Sequence, residues 1–288
     1  MQPFALEFDR FLLELGPETC IMGILNATPD SFSDGGKFNT FETAVNQGIK
    51  LVDDGAHILD IGGESSRPFA TPVSEQEELD RVIPIIENLL KRIDIPISID
   101  TVKSVVAREA LNAGAAIIND ISAFEKDPAM ADLAAQRNVP VVLMHMKGTP
   151  ETMQVNPNYN DLMLEITTYL ESRAVYAMEK GIQKNNIILD PGIGFGKTVE
   201  HNLVLINHLE KITTLGFPVL MGPSRKSFIQ NILNKNDKTP VGPDDIKTEY
   251  GTLGAVAASI LNGAHVIRVH DVEKVKPFTR IIDSIRNA

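Results

Sequence analysis

The chain has 288 residues, 43% hydrophobic but only 6% aromatic and without Trp, enough for one large aliphatic core. A net charge of −11 argues against a nucleic-acid surface, so an anionic ligand must be met by a local cluster of Arg, Lys or His. No apolar run approaches the ~18 residues of a membrane span, and MQPFALEFDRFLLELG is too acidic for a signal peptide, so a cytoplasmic protein with no membrane contact is expected.

Residues 1–18 precede the first strand-like run. The single cysteine, Cys20, lies in that run; with no second thiol to pair with, it is expected in the core of a protein from a reducing compartment. Strand-like runs then recur at 20–25, 58–61, 97–99, 116–118, 139–144, 187–189, 219–221 and 266–269. Helical periodicity fills the gaps. Residues 41–54 place Phe41, Ala44, Val45, Ile49 and Val52 on one side and stop at Gly55. Ser74-Glu75-Gln76-Glu77 is a capping box opening a helix to about Arg92. Helices over 129–136 and 159–180 follow, the second closed by Gly181. Eight strand–helix alternations predict an α/β fold, a single-domain (β/α)8 TIM barrel over 1–288 with 1–18 as an extension capping it. An open doubly wound sheet is the alternative.

A repeat locates the business end of that barrel. GAHILD (55–60), GAAIIN (114–119) and GAHVIR (263–268) each run from a helix-ending glycine through a short strand to a polar residue. Asp60, Asn119 and Arg268 therefore occupy equivalent places near the carboxyl ends of strands, where barrel active sites are built. Asn26, Asp100 and Asp190 extend the ring. The stretch after Asp190, PGIGFGK, has glycines on alternate positions that let backbone come close to whatever the carboxylate holds. Its spacing fits neither a phosphate loop nor a dinucleotide fingerprint.

No serine-hydrolase elbow, HExxH or Cys–His cluster is present. His57, His208 and His265 read as core or surface residues, whereas His145 and His270 stand at strand ends. Asp100, Asn119 and Asp190 suit a heterocycle presenting adjacent N–H donors; Arg268 and His270, alternate on one strand, can both offer donors to an anion. Ser224 reads as an N-cap, which puts Arg225, Lys226 and Ser227 in a first helical turn, where backbone N–H groups attract anions.

The segments NATPDSFSDGG (26–36), DIGGESSRP (60–68), SIDT (98–101), IIND (117–120), LDPGIGFGK (189–197), SRKS (224–227) and RVHD (268–271), in that order, resemble dihydropteroate synthase. The resemblance runs from about residue 20 to the end. It implies an enzyme of folate synthesis, a barrel that joins 6-hydroxymethyl-dihydropterin diphosphate to p-aminobenzoate and releases diphosphate. It also implies roles. Asp100, Asn119 and Asp190 would hold the amino-pyrimidine edge of the pterin, and Lys226 would reach its carbonyl and ring nitrogen. Met144 and Phe195 would pack on the pterin faces, with Gly222 also in the substrate site. Asn26, Arg268 and His270 match the diphosphate site, Asn26 being also a Mg²⁺ ligand. Ser227 matches the p-aminobenzoate carboxylate site. Phe32, Asp34, Ser66, Arg67 and Pro68 match two loops that close over the reaction, with Asp34 and Arg67 joining Lys226, Arg268 and His270 as the catalytic set. The resemblance further implies a homodimer through the later helices.

The chain departs from the family pattern in a few places. Ser66 stands where Thr is usual, Phe69-Ala70 where Gly-Ala is usual, and Glu249-Tyr250 where a basic residue is common. A ring at Phe69, beside the p-aminobenzoate pocket, is expected to reduce sulfonamide sensitivity by exclusion. A pterin-dependent methyltransferase would share the Asp-Asn-Asp pocket, but the intact NATPDSFSDGG and SRKS segments speak against it. Lys226, Arg268 and His270 speak against an inactive pterin-binding relative.

Overall fold

The computed structural model describes residues 1–28, 37–65, 71–149, 152–235 and 240–288. It opens with an antiparallel hairpin that the hydrophobic pattern did not predict, β1 (Phe4–Phe8) and β2 (Phe11–Leu15). The two-residue turn is made possible by Asp9 in the left-handed region at φ 47°. Next in order are β3 (Cys20–Asn26), α1 (Lys37–Asp53), β4 (Ile58–Gly62), α2 (Glu75–Leu89), β5 (Ile97–Asp100), α3 (Ser104–Asn112), β6 (Ile117–Asp120) and α4 (Ala129–Arg137). The second half comprises β7 (Val141–Met144), α5 (Leu162–Glu179), β8 (Ile187–Asp190), α6 (Val199–Asn207), α7 (Glu210–Thr213), β9 (Leu220–Met221), α8 (Ser227–Asn234), α9 (Ile246–Leu261), β10 (Val266–Val269) and α10 (Val272–Arg286).

Strands β3 to β10 form one parallel eight-stranded sheet in the order β8-β7-β6-β5-β4-β3-β10-β9. A parallel bridge between Leu189 and Val219 joins the two edges, where Leu189 N donates to Pro218 O at 2.9 Å. The sheet is thereby closed, and the open-sheet alternative is excluded. The molecule is a single-domain (β/α)8 barrel. Each expected strand is found, with ends displaced by at most two residues.

Alternation along the strands divides the core. Ile21 and Leu25 of β3 face the helices, while Cys20 and Met22 face the barrel interior. At the amino-terminal end of the barrel, Leu6, Phe8 and Leu15 of the hairpin bury against Met22, Ile58, Ile117, Val142 and Val266. Fully burying such side chains contributes roughly 1.5–3 kcal/mol each. The apolar filling leaves the opposite, carboxyl end as the place where polar groups can gather.

The three repeat glycines serve one purpose. Gly55, Gly114 and Gly263 have φ of +105°, +108° and +109°, a backbone region that side chains disfavour, and turn the chain from a helix into the next strand. Two local expectations need correction. Ser74 does cap α2, accepting from Glu77 N at 3.2 Å, but the Glu77 carboxylate turns to Arg81 rather than back to the cap. Ser224 is not an N-cap: Arg225 adopts φ +57°, and the chain enters α8 only at Ser227, with Lys226 as the N-cap. Lys226 is thus freed from the first turn.

Candidate active site

At the carboxyl end of the barrel, a cleft brings together Asp100, Asn119, Asp190, Lys226 and Arg268. Its apolar lining is Ile121, Met144, Ile193 and Phe195, and Gly222 adds bare backbone. The polar members stand on β5, β6, β8 and β10 and at the entrance to α8. Parallel register brings Asp100 opposite Asn119 and Met144 opposite Asp190.

Asp60 of β4, fully buried beneath the cleft, ties its floor. Its Oδ2 accepts from Asn119 Nδ2 at 3.0 Å and from Arg268 Nε at 2.6 Å. Arg268 also donates to Asp100 Oδ2 at 2.6 Å. The three polar residues singled out by the repeat are therefore one hydrogen-bonded unit. Burial pushes the Asp100 carboxyl up to about 7, with the Arg268 charge opposing and the Asp60 charge adding. The Arg268 guanidinium is held charged: burial works against it, but Asp60 and Asp100 more than compensate.

Asp190 is also pushed up, to about 6, by burial; the amide of Gly192, donating to Oδ1 at 2.7 Å, and the charges of Lys226, Lys197 and Arg268 work the other way. The loop beyond it is closely packed. A Cβ on Gly192 would lie 1.9 Å from the carbonyl oxygen of His145, so only glycine fits. Asn202 Oδ1 accepts from Gly194 N at 2.7 Å and Gln154 Nε2 donates to Gly194 O at 2.6 Å. Phe195 is thereby presented to the cleft, and Lys226 Nζ lies 4.0 Å from the centre of its ring.

The remaining expected residues surround this cleft at a distance or lie elsewhere. Asn26 ends β3, half-buried beside Gly62. His270, just past β10, has its Nδ1 3.0 Å from Ser224 Oγ, which also accepts from His270 N at 3.3 Å. Ser227 is exposed as the first residue of α8. Phe32, Asp34, Ser66, Arg67, Pro68 and Phe69 lie outside the described residues. Among the histidines, His57 Nδ1 accepts from Ile21 N and His265 Nδ1 from Val219 N, both structural roles. Glu249 is buried against Arg225, at 3.6 Å, and burial raises its carboxyl.

Sequence reasoning missed Lys197. Its position at the end of an uncharged glycine loop was the available signal: a lysine there must either reach solvent or find acceptors. It is 3% exposed and finds acceptors, donating to Phe195 O at 2.9 Å and lying 3.0 Å from His145 Nδ1. Ile121 and Ile193 were missed as well, since nothing in an isolated isoleucine of a loop beyond a strand marks a ligand face.

Residues 22–270 match the family described as "Pterin binding enzyme". The dihydropteroate synthase of Synechocystis sp. is 46% identical over 283 residues, covering 98% of this chain and 96% of that protein. A crystal structure of Yersinia pestis dihydropteroate synthase with a sulfonamide drug complex superposes with a TM-score of 0.90 at 40% identity, covering 99% and 100% of the two chains. The Xanthomonas albilineans dihydropteroate synthase with 4-aminobenzoic acid superposes equally well, with a TM-score of 0.90 at 39% identity over 100% of both chains. The chain therefore belongs to the pterin-binding enzymes, in the dihydropteroate synthase family.

Proposed function

We propose that this barrel condenses 6-hydroxymethyl-7,8-dihydropterin diphosphate with p-aminobenzoate to give 7,8-dihydropteroate and diphosphate. The observation that carries the reading is one cleft in which Asp100, Asn119 and Asp190 meet Lys226 between Met144 and Phe195. Carboxylates accept from the N–H groups of the amino-pyrimidine edge, the Asn119 amide can donate or accept, and Lys226 donates to the ring carbonyl. Met144 and Phe195 cover the faces of the heterocycle.

Arg268 on β10 and Asn26 on β3 stand on paired strands, with His270 just beyond β10, so the three can share one side of the barrel mouth. That is where we place the diphosphate. Arg268 and His270 stabilise the charge that develops as the methylene C–O bond breaks and its electron pair leaves with diphosphate. The electron-rich pterin stabilises the cationic methylene, the aniline nitrogen bonds to it, and that nitrogen's proton passes to solvent. Because the aniline is neutral near pH 7, positioning matters more than a strong base. Ser227, at the amino end of α8, is placed to receive the p-aminobenzoate carboxylate.

The described residues include no cluster of three His, Cys, Asp or Glu able to hold a metal. Asn26 offers one neutral, hard oxygen, which fits a Mg²⁺ that arrives with the diphosphate and keeps water in its shell. Such an ion would supply further charge neutralisation on the leaving group. A homodimer is proposed on α8 and α9, where Ile232, Ile246, Tyr250 and Leu261 are exposed. No helix among the described residues is long and apolar enough to cross a membrane. Cys20 is a free buried thiol, which supports a reducing compartment such as the cytoplasm for the reaction.

The decisive assay is diphosphate release from the pterin substrate with and without p-aminobenzoate. Release that depends on both substrates, with dihydropteroate as product, is expected. Absence of product when both are present overturns the reading.

A further inference from the structure

The family resemblance assigns no task to the buried pair Lys197 and His145, yet the pair joins two walls of the cleft. His145 follows Met144 at the end of β7; Lys197 follows the loop that carries Phe195 and precedes Thr198, the N-cap of α6. Lys197 Nζ donates to Phe195 O at 2.9 Å and to His145 O at 3.4 Å, and lies 3.0 Å from His145 Nδ1. These ties join the segment that carries Phe195 to the residue that follows Met144, the two side chains that cover the heterocycle in the function proposed above. Both side chains are nearly inaccessible, at 3% for Lys197 and 6% for His145. A buried ammonium is costly to fold around, and an apolar side chain of similar length would fill the same space.

We propose that Lys197 is a positioning residue of the pterin pocket: it fixes the Phe195 wall to the Met144–His145 wall. This rests on the function proposed above and deepens it.

The surroundings agree. Lys197 and Asp190 act on each other electrostatically, each favouring the other's charged form, while burial pushes the Lys197 amine down to about 7. Burial, then the Lys197 charge, pushes His145 down to about 3, so the imidazole is neutral beside the ammonium and its Nδ1 can accept a hydrogen bond from it. The other charged or titratable groups around the pair are Lys147 and Lys226, His201 at the start of α6, Arg268 acting on Asp190, and the rings of Tyr159 and Tyr169 against His145. Lys226 and Arg268 also stabilise the Asp190 carboxylate, but they have substrate to serve; Lys197 faces protein. Its contribution therefore persists whether the cleft is filled or empty.

The test is Lys197→Met, measured by calorimetry of pterin diphosphate binding across pH and by steady-state kinetics. Pterin binding should weaken about tenfold, the size of one lost charged hydrogen bond. The Michaelis constant for pterin should rise more than kcat falls, and the acid limb of the binding profile should move to higher pH as Asp190 loses a cation. A folded Lys197→Met protein that binds pterin within about twofold of wild type, with the same acid limb, overturns the proposal. If that variant does not fold, His145→Gln, which disturbs one tie while keeping the lysine, should weaken pterin binding; unchanged binding there overturns it equally. Wild-type protein that fails to bind pterin would instead sink the functional reading itself.

Discussion

Arg268 Nε donates to Asp60 Oδ2 at 2.6 Å, across a barrel in which the two residues stand 208 positions apart in sequence. Asp60 is fully buried, so this carboxylate anchors the guanidinium from below while Asp100 holds it from the side. The residue expected to meet diphosphate is oriented by a residue that does not line the cleft.

Asp60→Asn should therefore cost both stability and activity. Breaking a buried ion pair typically costs about 3–5 kcal/mol, because one charge is left uncompensated. Retention of the Asp100 contact should keep the loss nearer the lower figure. Urea unfolding measures the first effect and turnover the second. A variant with wild-type stability and kcat would show that Asp60 is not the anchor.

Asp190 makes pterin affinity depend on pH. Its carboxyl is pushed up to about 6, and the heterocycle needs the ionised form, so affinity should fall as pH drops below about 6. Folding moves the other way. A carboxyl whose pKa is raised from 3.8 to about 6 contributes stability that is fully present below the lower value and lost as pH rises through the upper one. Asp190→Asn should remove the Asp190 share of both dependences and leave that of Asp100, whose carboxyl is pushed up to about 7; it should also leave the fold intact and weaken pterin binding by roughly 1–3 kcal/mol. Calorimetry from pH 5 to 8 reads the affinity, and pterin binding equal to wild type would refute the role.

Lys226→Ala should separate activity from stability. The side chain sits at the helix entrance, makes no side-chain capping bond, and lies over the Phe195 ring. A cation near a helix start opposes the macrodipole, so its removal should not weaken α8. Turnover should fall by about two orders of magnitude or more, the scale for one transition-state donor. A large drop in melting temperature with normal turnover would reverse this assignment.

Lys103 offers a purely structural contrast. Its Nζ donates to Glu64 and Glu78, each at 2.6 Å, and to Val73 O at 2.8 Å. Glu78 is fully buried, and its other oxygen lacks a hydrogen-bond partner among the described residues. Lys103→Met should strand that charge and destabilise the protein by about 3–5 kcal/mol. Adding Glu78→Gln should recover part of the loss, a coupling that a double-mutant cycle in urea would read.

The sequence by itself determined the eight strand–helix alternations and the ring of polar strand ends, while closure of the sheet into a barrel was decided by the Leu189–Val219 bridge. The alternations and the ring depend on local signals, namely strand-length apolar runs, helix-ending glycines and polar residues at a fixed offset from them. Gly55, Gly114 and Gly263 needed only their own backbone geometry to announce where Asp60, Asn119 and Arg268 would stand. Tertiary structure alone decided what those residues do to one another. That Asp60 lies beneath the cleft, and that Lys197 is buried against His145, follow from barrel closure and loop packing. These contacts join residues 208 and 52 positions apart, and a charge reveals its cost only once its neighbours exclude water. The same limit explains Ser224. Its type fits an N-cap, but Arg225 in the left-handed region turns the chain away, and the Ser224 hydroxyl meets His270 instead.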